Sequence, residues 1–198
     1  MSATAPRIFR EVASADSAEL VRLFERAGSG CYCRYWHFAG DKNGWLDRLA
    51  HAPELSAREL TDDLHAPALA PHGVVAMDGE RVTGWLKLTR AGRMQKLYEQ
   101  RPYRGLPCFD DVARDGVFTV GCLLVDPEVR RRGIARGLIA AAIEVGRGAG
   151  ARALEAFPRQ APLLGDAELW MGPFEIYEEL GFRPLHVVGQ YVVLRKAL

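Results

Sequence analysis

The chain has 198 residues and a formal net charge of +1, a length that suits one domain with a sizeable core and a balance that gives no bulk attraction to nucleic acid or an anionic membrane. Hydrophobic residues make up 48% and charged residues 26%, the proportions of an ordinary globular protein, and no apolar run is long enough to span a bilayer. The opening MSATAPRIFREV lacks the apolar centre of a secretion signal, and four cysteines without such a signal read as reduced thiols, so the expectation is a single domain over residues 1–198, in the cytoplasm, with neither a nucleic-acid nor a membrane partner.

Residues 7–12 alternate as a short strand. Asp16 and Glu19 read as a capping-box pair opening a helix, with Leu20, Leu23 and Phe24 on one side and Gly28-Ser29-Gly30 at its end. The next stretch is Cys31-Tyr32-Cys33-Arg34-Tyr35-Trp36-His37-Phe38. Cys31, Cys33 and His37 are ligand types that suit zinc, but Cys-x-Cys is closer than the usual knuckle spacing and no second close pair follows, so no metal is expected. Two readings stay open: a packed core of small thiols and rings, or a pocket wall formed by Tyr32, Tyr35 and Trp36. Residues 41–49 run from a loop into a helix with Trp45 and Leu49 inward. Ser56 with Glu59 reads as the cap of another helix, which carries Leu60 and Leu64 and stops at Pro67 and Pro71.

Two strands, 73–77 and 82–88, flank Asp78-Gly79, a hairpin signal. Residues 89–116 lack sustained periodicity; they are basic first (Arg90, Arg93, Lys96, Arg101, Arg104) and acidic later (Asp110, Asp111, Asp115), either a solvated loop or a substrate-facing lid. Val117–Val125 is almost unbroken apolar, the pattern of a strand buried on both faces, and Asp126-Pro127 ends it. A basic turn, Arg130-Arg131-Arg132-Gly133-Ile134-Ala135, leads into a helix with Ile134, Leu138, Ile139, Ala142, Ile143 and Val145 on its apolar stripe. Residues 152–157 read as the next, parallel strand, and 159–170 as an irregular loop. Pro173 suits a helix start, Phe174, Tyr177 and Leu180 follow at spacing three, Gly181 ends that helix, and 187–194 is a last strand interrupted by Gly189-Gln190.

Strand, glycine turn and helix start together make an anion site. The first N–H groups of a helix have no internal partner and carry the positive end of its dipole, Gly133 allows close approach, and Arg130, Arg131, Arg132 and Arg136 add charge. This segment resembles the acetyl-CoA signature of the GNAT acetyltransferase superfamily, whose Arg/Gln-x-x-Gly-x-Gly/Ala turn corresponds to Arg130 to Ala135, and a second signature of that family is similar to Phe174-Glu175-Ile176-Tyr177-Glu178-Glu179-Leu180-Gly181-Phe182. The cysteine–aromatic stretch is also similar to a Cys-aromatic-Cys-x-x-Trp feature in a bacterial branch of the family.

The resemblance implies an acyl-CoA N-acyltransferase fold: a mixed α/β, mostly antiparallel sheet with a splayed parallel strand pair and helices on both faces. It implies acetyl-CoA as cosubstrate without a metal. The diphosphate would lie on Arg130 to Arg136 (through Gly133, Ile134 and Ala135), and the pantetheine arm beside Leu123, Leu124 and Val125, with an oxyanion donor from the strand near Leu123 or Leu124. It places the pocket residues Tyr32, Tyr35 and Trp36 at the acceptor side and Tyr177 as the acid that meets the leaving thiolate. The central strand lacks the glutamate some members use as base; Glu155, the one carboxylate within residues 152–157, is the replacement candidate, unless it simply pairs with an arginine. Asp115, His37 and His186 are weaker choices. The expected acceptor is a small-molecule primary amine, in a monomer or homodimer. The alternatives are a protein N-terminus or lysine as acceptor, a coenzyme-A-binding regulatory module without turnover, and a metal-binding interaction domain.

Overall fold

The computed structural model describes residues 6–106, 109, 114–165 and 168–198. Cys108, Asp110 and Asp111, read above as a thiol and part of the acidic half of the long connection, lie outside the described residues. Seven strands form one sheet: β1 (Ile8–Glu11), β2 (Gly73–Asp78), β3 (Arg81–Arg90), β4 (Val117–Val125), β5 (Ala153–Ala156), β6 (Arg183–Val188) and β7 (Tyr191–Ala197), in the order β1-β2-β3-β4-β5-β7-β6. All neighbours are antiparallel except β4 and β5. That pair is parallel over only Val117–Thr119 against Ala153–Glu155, after which the two strands part. The sheet is therefore the mixed α/β sheet with a splayed parallel pair that the resemblance implied.

Helices α1 (Ser17–Arg26), α2 (Lys42–His51), α3 (Pro53–Leu64) and the single turn α4 (Gln95–Tyr98) lie in the first part of the chain, and α5 (Ile134–Gly148) and α6 (Phe174–Glu179) in the second. The sheet separates two apolar cores. One joins α1, the 31–38 segment and Trp85; the other joins α5, α6 and the opposite side of β2 to β4. Among the described residues no helix is long and apolar enough to cross a membrane.

Several local expectations shift. Asp16 stands at the start of α1, but its carboxylate accepts from the Ala13 N–H at 2.8 Å and pairs with Arg10 instead of capping the helix. Ser56 is not a cap: α3 begins three residues earlier at Pro53, whose missing N–H costs nothing in a first turn, and Ser56 is buried inside the helix with its hydroxyl unpartnered. The last strand of the sequence reading is two strands, because Gly189 takes a left-handed φ of 59° and reverses the chain between β6 and β7.

Register decides which way the central strand faces. Leu86 pairs with Leu123 but Leu88 with Val120, so β4 carries one residue more than β3 across this interval. The bulge puts Cys122 on the α1 side, next to Gly121, which already faces Lys87 and Met94 there. Leu123 then packs toward α5 and Leu124 toward α1. Bulges re-aim side chains in this way beside functional sites.

Candidate active site

The parting of β4 and β5 opens a cleft of about 660 Å³ whose walls include Leu123, Leu124, Val125, Arg130, Arg131, Gly133, Ile134, Ala135 and Arg136, with Trp170 and Ile176 opposite. Gly133 is the N-cap residue of α5 at φ 75°, with no side chain capping the helix, and nothing lies within 4 Å of where its Cβ would be. Arg131, two residues earlier, is also left-handed at φ 61°. A left-handed turn running into uncapped helix N–H groups is a concave donor set for an anion, and a side chain at position 133 would be strained and would cover it.

The strand end that feeds this turn is held by buried Asp126. Its carboxylate accepts from Arg26 at 2.8 Å, from Arg81 at 2.7 Å and from the Glu128 N–H at 3.1 Å, and these partners keep its pKa below the usual carboxylate range against the opposing effect of burial. Two of the expected arginines behave differently from their neighbours. Arg132 is exposed and does not line the cleft, and Arg136 lines it while pairing with Glu179 of α6. Along β4 the Leu123 N–H, left without a β5 partner by the splay, donates to the Trp170 carbonyl at 2.8 Å.

A second pocket of about 370 Å³ adjoins the cleft and shares Ser29, Leu123, Leu124 and Trp170 with it. Tyr35, Trp36, Trp45 and Phe24 line it, as do Cys31, Cys33 and Cys122, all free thiols. Tyr35 and Trp36 thus stand where a pocket wall was expected. Tyr32 does not: it is buried against Phe24, ring centroids 5.0 Å apart, so the core reading holds for that residue. The reason is a sharp turn in which Tyr32 and Cys33 both take left-handed φ (45° and 54°), sending successive side chains in different directions. Cys33 is engaged through its sulfur: it accepts from Trp85 Nε1 at 3.2 Å and meets Cys122, whose thiol is held well above its ordinary pKa by that contact and by burial. Burial together with neighbouring Cys33 pushes the Cys31 thiol up to about 11.

Sequence reasoning missed Trp170 and Trp45 as pocket residues. Trp170 is partly exposed and stacks on Trp36 at 5.6 Å, and its position in an irregular loop left no periodic signal by which to place it.

The two residues expected to handle protons are placed elsewhere. Glu155 is fully buried, does not line either pocket, and is saturated: Arg195 Nε donates to it at 2.9 Å and the Tyr98 hydroxyl at 2.6 Å, that hydroxyl also meeting Thr119 at 2.6 Å. The cause is register, since Glu155 stands directly opposite Arg195 on β7 and Thr119 on β4. It is the arginine-paired alternative, and a carboxylate so engaged is not a free base. Tyr177 is also fully buried, its hydroxyl donating to the Met171 carbonyl at 2.9 Å beneath Gly172, and burial raises its pKa, with Cys122 adding to the effect. The tyrosine therefore lies one layer below the surface that Trp170 presents to the cleft. His37, a weaker candidate, has its pKa pushed down to about 3 by burial and by the nearby positive charge of Lys87 and Arg34.

A splayed parallel pair with a glycine-opened helix start at its mouth offers main-chain donors to an anion. The sequence matches the model of the acetyltransferase (GNAT) family over residues 41–165, and the chain belongs to that family. No curated protein matches it in sequence. Solved structures share the fold: PaiA N-acetyltransferase from Thermoplasma acidophilum in complex with coenzyme A (11% identity, 98% of this chain and 99% of that one, TM-score 0.56), a GNAT family acetyltransferase from Brucella melitensis in complex with acetyl-CoA (20%, 98% and 88%, 0.52), and the GNAT domain of S. lividans PAT (19%, 96% and 89%, 0.57). Identities this low speak for the fold alone.

Proposed function

We propose that the protein transfers an acetyl group from acetyl-CoA to the primary amine of a small molecule by direct attack on the thioester. The observation that carries this is the junction of the two pockets: an anion-binding helix start on one side of Leu123–Leu124 and an aromatic pocket on the other. The residues present fit coenzyme A, because the uncapped N–H groups after Gly133 suit a diphosphate and β4 beyond Thr119 runs past the end of its β5 pairing beside the cleft.

Acetyl-CoA supplies an activated acyl carbon when bound. The chain's own contribution is placement. Gly133 to Arg136 would fix the diphosphate, Leu123 to Val125 would align the arm, and the Leu123 N–H, on the side of β4 away from β3, would face the carbonyl oxygen as it gains charge. The Leu123 N–H, held by Trp170, becomes a donor to ligand only when that carbonyl yields. Trp170, shared by both pockets, stands where the acyl end would meet the acceptor. With the Tyr177 proton committed to Met171, we assign protonation of the departing thiolate to water from the open cleft instead of the phenol.

Thiol release from acetyl-CoA over a broad amine panel tests the reading directly, with the melting temperature measured with and without acetyl-CoA. Turnover with at least one small amine and a cofactor-dependent rise in melting temperature are expected. A rise in melting temperature with no thiol release for any amine, peptide N-termini included, would leave a coenzyme-A-binding module in its place.

A further inference from the structure

The acceptor-side pocket narrows the class of amine. Its walls are rings at close quarters: Tyr35 meets Trp36 at 4.7 Å and Trp45 at 5.5 Å, and Trp36 and Trp170 lie within 26° of parallel. Such walls favour a flat apolar body. Aromatic faces also attract cations, so the surrounding charge has to decide whether the guest is charged.

Among the described lining residues that charge is positive. Lys42 lines the pocket itself. The Lys96 ammonium lies 4.7 Å from the Tyr35 ring centroid, anchored by the carbonyls of Phe38 and Gly40 at 2.9 Å each, so that ring already serves a cation. Behind Cys33 and Cys122 lies Lys87, whose burial lowers its pKa and so weakens its share of that charge. Asp63 and Glu59 are engaged by Arg34 and Arg48, Asp41 at the start of α2 accepts from the Gly44 N–H, and none of the described residues lining the pocket is acidic. An alkylammonium entering here would lose its hydration among like charges. Its reactive free base, for a pKa near ~10, is only on the order of one part in a thousand at pH 7.

Resting on the acetyltransfer reading above, we infer that the acceptor is an aromatic amine, with its nitrogen attached to the ring and uncharged at neutral pH. The ring lies against the Trp36–Trp170 pair, and the nitrogen points past Leu124 toward the cleft. Its lone pair forms the new C–N bond to the acetyl carbon while the C–S bond breaks. The electron pair leaves with sulfur, and the proton lost by nitrogen passes through water to the thiolate, giving an N-aryl acetamide and free coenzyme A. A nitrogen already uncharged needs no carboxylate base, which agrees with Glu155 being locked away.

The test compares kcat/KM at pH 7 for 4-methylaniline and benzylamine by thiol release, with acetyl-CoA binding measured separately by calorimetry. The aniline is expected to be favoured at least tenfold. Leu46, exposed at the pocket, provides the second arm: Leu46→Glu brings in a negative charge and should narrow the ratio several-fold. Benzylamine matching or exceeding the aniline, a ratio unmoved by Leu46→Glu, or no transfer to either amine while acetyl-CoA still binds would each overturn the acceptor class and leave the cofactor site standing. Failure of acetyl-CoA to bind would overturn the underlying reading as well.

Discussion

The two pockets that meet at Leu123–Leu124 are built from different materials. The anion end of the larger cleft rests on backbone: a left-handed glycine and uncapped helix N–H groups. The acceptor pocket is made of side chains brought from α1, the 31–38 turn, α2, β4 and the loop before α6. Backbone donors are set by local geometry and tolerate drift in the residues around them, so a low-identity family can keep one cofactor. A pocket of side chains from five places changes with any of them, so the acceptor can differ from member to member. The comparison predicts that damage to one pocket leaves the other in working order, and four experiments press on it.

The largest effect is expected outside both pockets. Glu155→Ala removes a fully buried carboxylate that accepts from Arg195 and Tyr98 and should destabilise the fold by about 3 kcal/mol, because it breaks a buried ion pair. Denaturant unfolding measures this. The folded fraction should keep its kcat, and a collapse of kcat at intact stability would restore Glu155 as base.

Next is Gly133→Glu, which puts a side chain and a negative charge at a φ of 75° over the anion site. Acetyl-CoA affinity should fall about a hundredfold, roughly 3 kcal/mol, and the cofactor-dependent rise in melting temperature should vanish. Acceptor-side ring contacts, read by tryptophan fluorescence, should not change.

The third tests the other pocket's surroundings by pH. His37 has a folded pKa of about 3 against an ordinary value of 6.5, so the unfolded chain binds the proton first. Its contribution to stability is complete above pH 6.5 and is lost as pH falls through 6.5 toward 3; at pH 4.5 the loss is about 2–3 kcal/mol. His72, lowered mainly by burial, and Asp63, lowered by Arg34 against the opposing effect of burial, act in the same direction. His37→Gln should flatten the acid limb of a plot of melting temperature against pH, and an unaltered limb would rule His37 out.

The smallest effect is Tyr177→Phe. Leaving the Met171 carbonyl unpartnered should cost about 1 kcal/mol, seen as a small drop in melting temperature, with kcat within about threefold. A larger loss of kcat with acetyl-CoA affinity intact would return the phenol to the mechanism.

Much of this could be read before any coordinates. The β4 strand, its stop at Asp126-Pro127 and the helix after Gly133 were legible because each rests on a short-range rule: apolar continuity, a missing N–H, a residue free to adopt positive φ. The same held for the Asp78-Gly79 hairpin. Trp170 was not legible, since nothing in an irregular loop announces that its carbonyl will meet Leu123 across a splayed sheet. Tyr32 and Tyr35 carry the same side chain three residues apart, yet one is core and the other pocket, because two left-handed residues turn the chain between them.

The amino-acid order by itself determined where a strand ends and a glycine opens a helix start, since that turn depends on neighbours within one strand, one turn and one helix. The tertiary structure decided the fate of Glu155 and Tyr177 and the composition of the acceptor pocket. A carboxylate becomes a base or an ion-pair partner according to what stands opposite it in the sheet. Here β7 puts Arg195 opposite Glu155, and the β4 bulge turns Cys122 and Leu124 toward the rings.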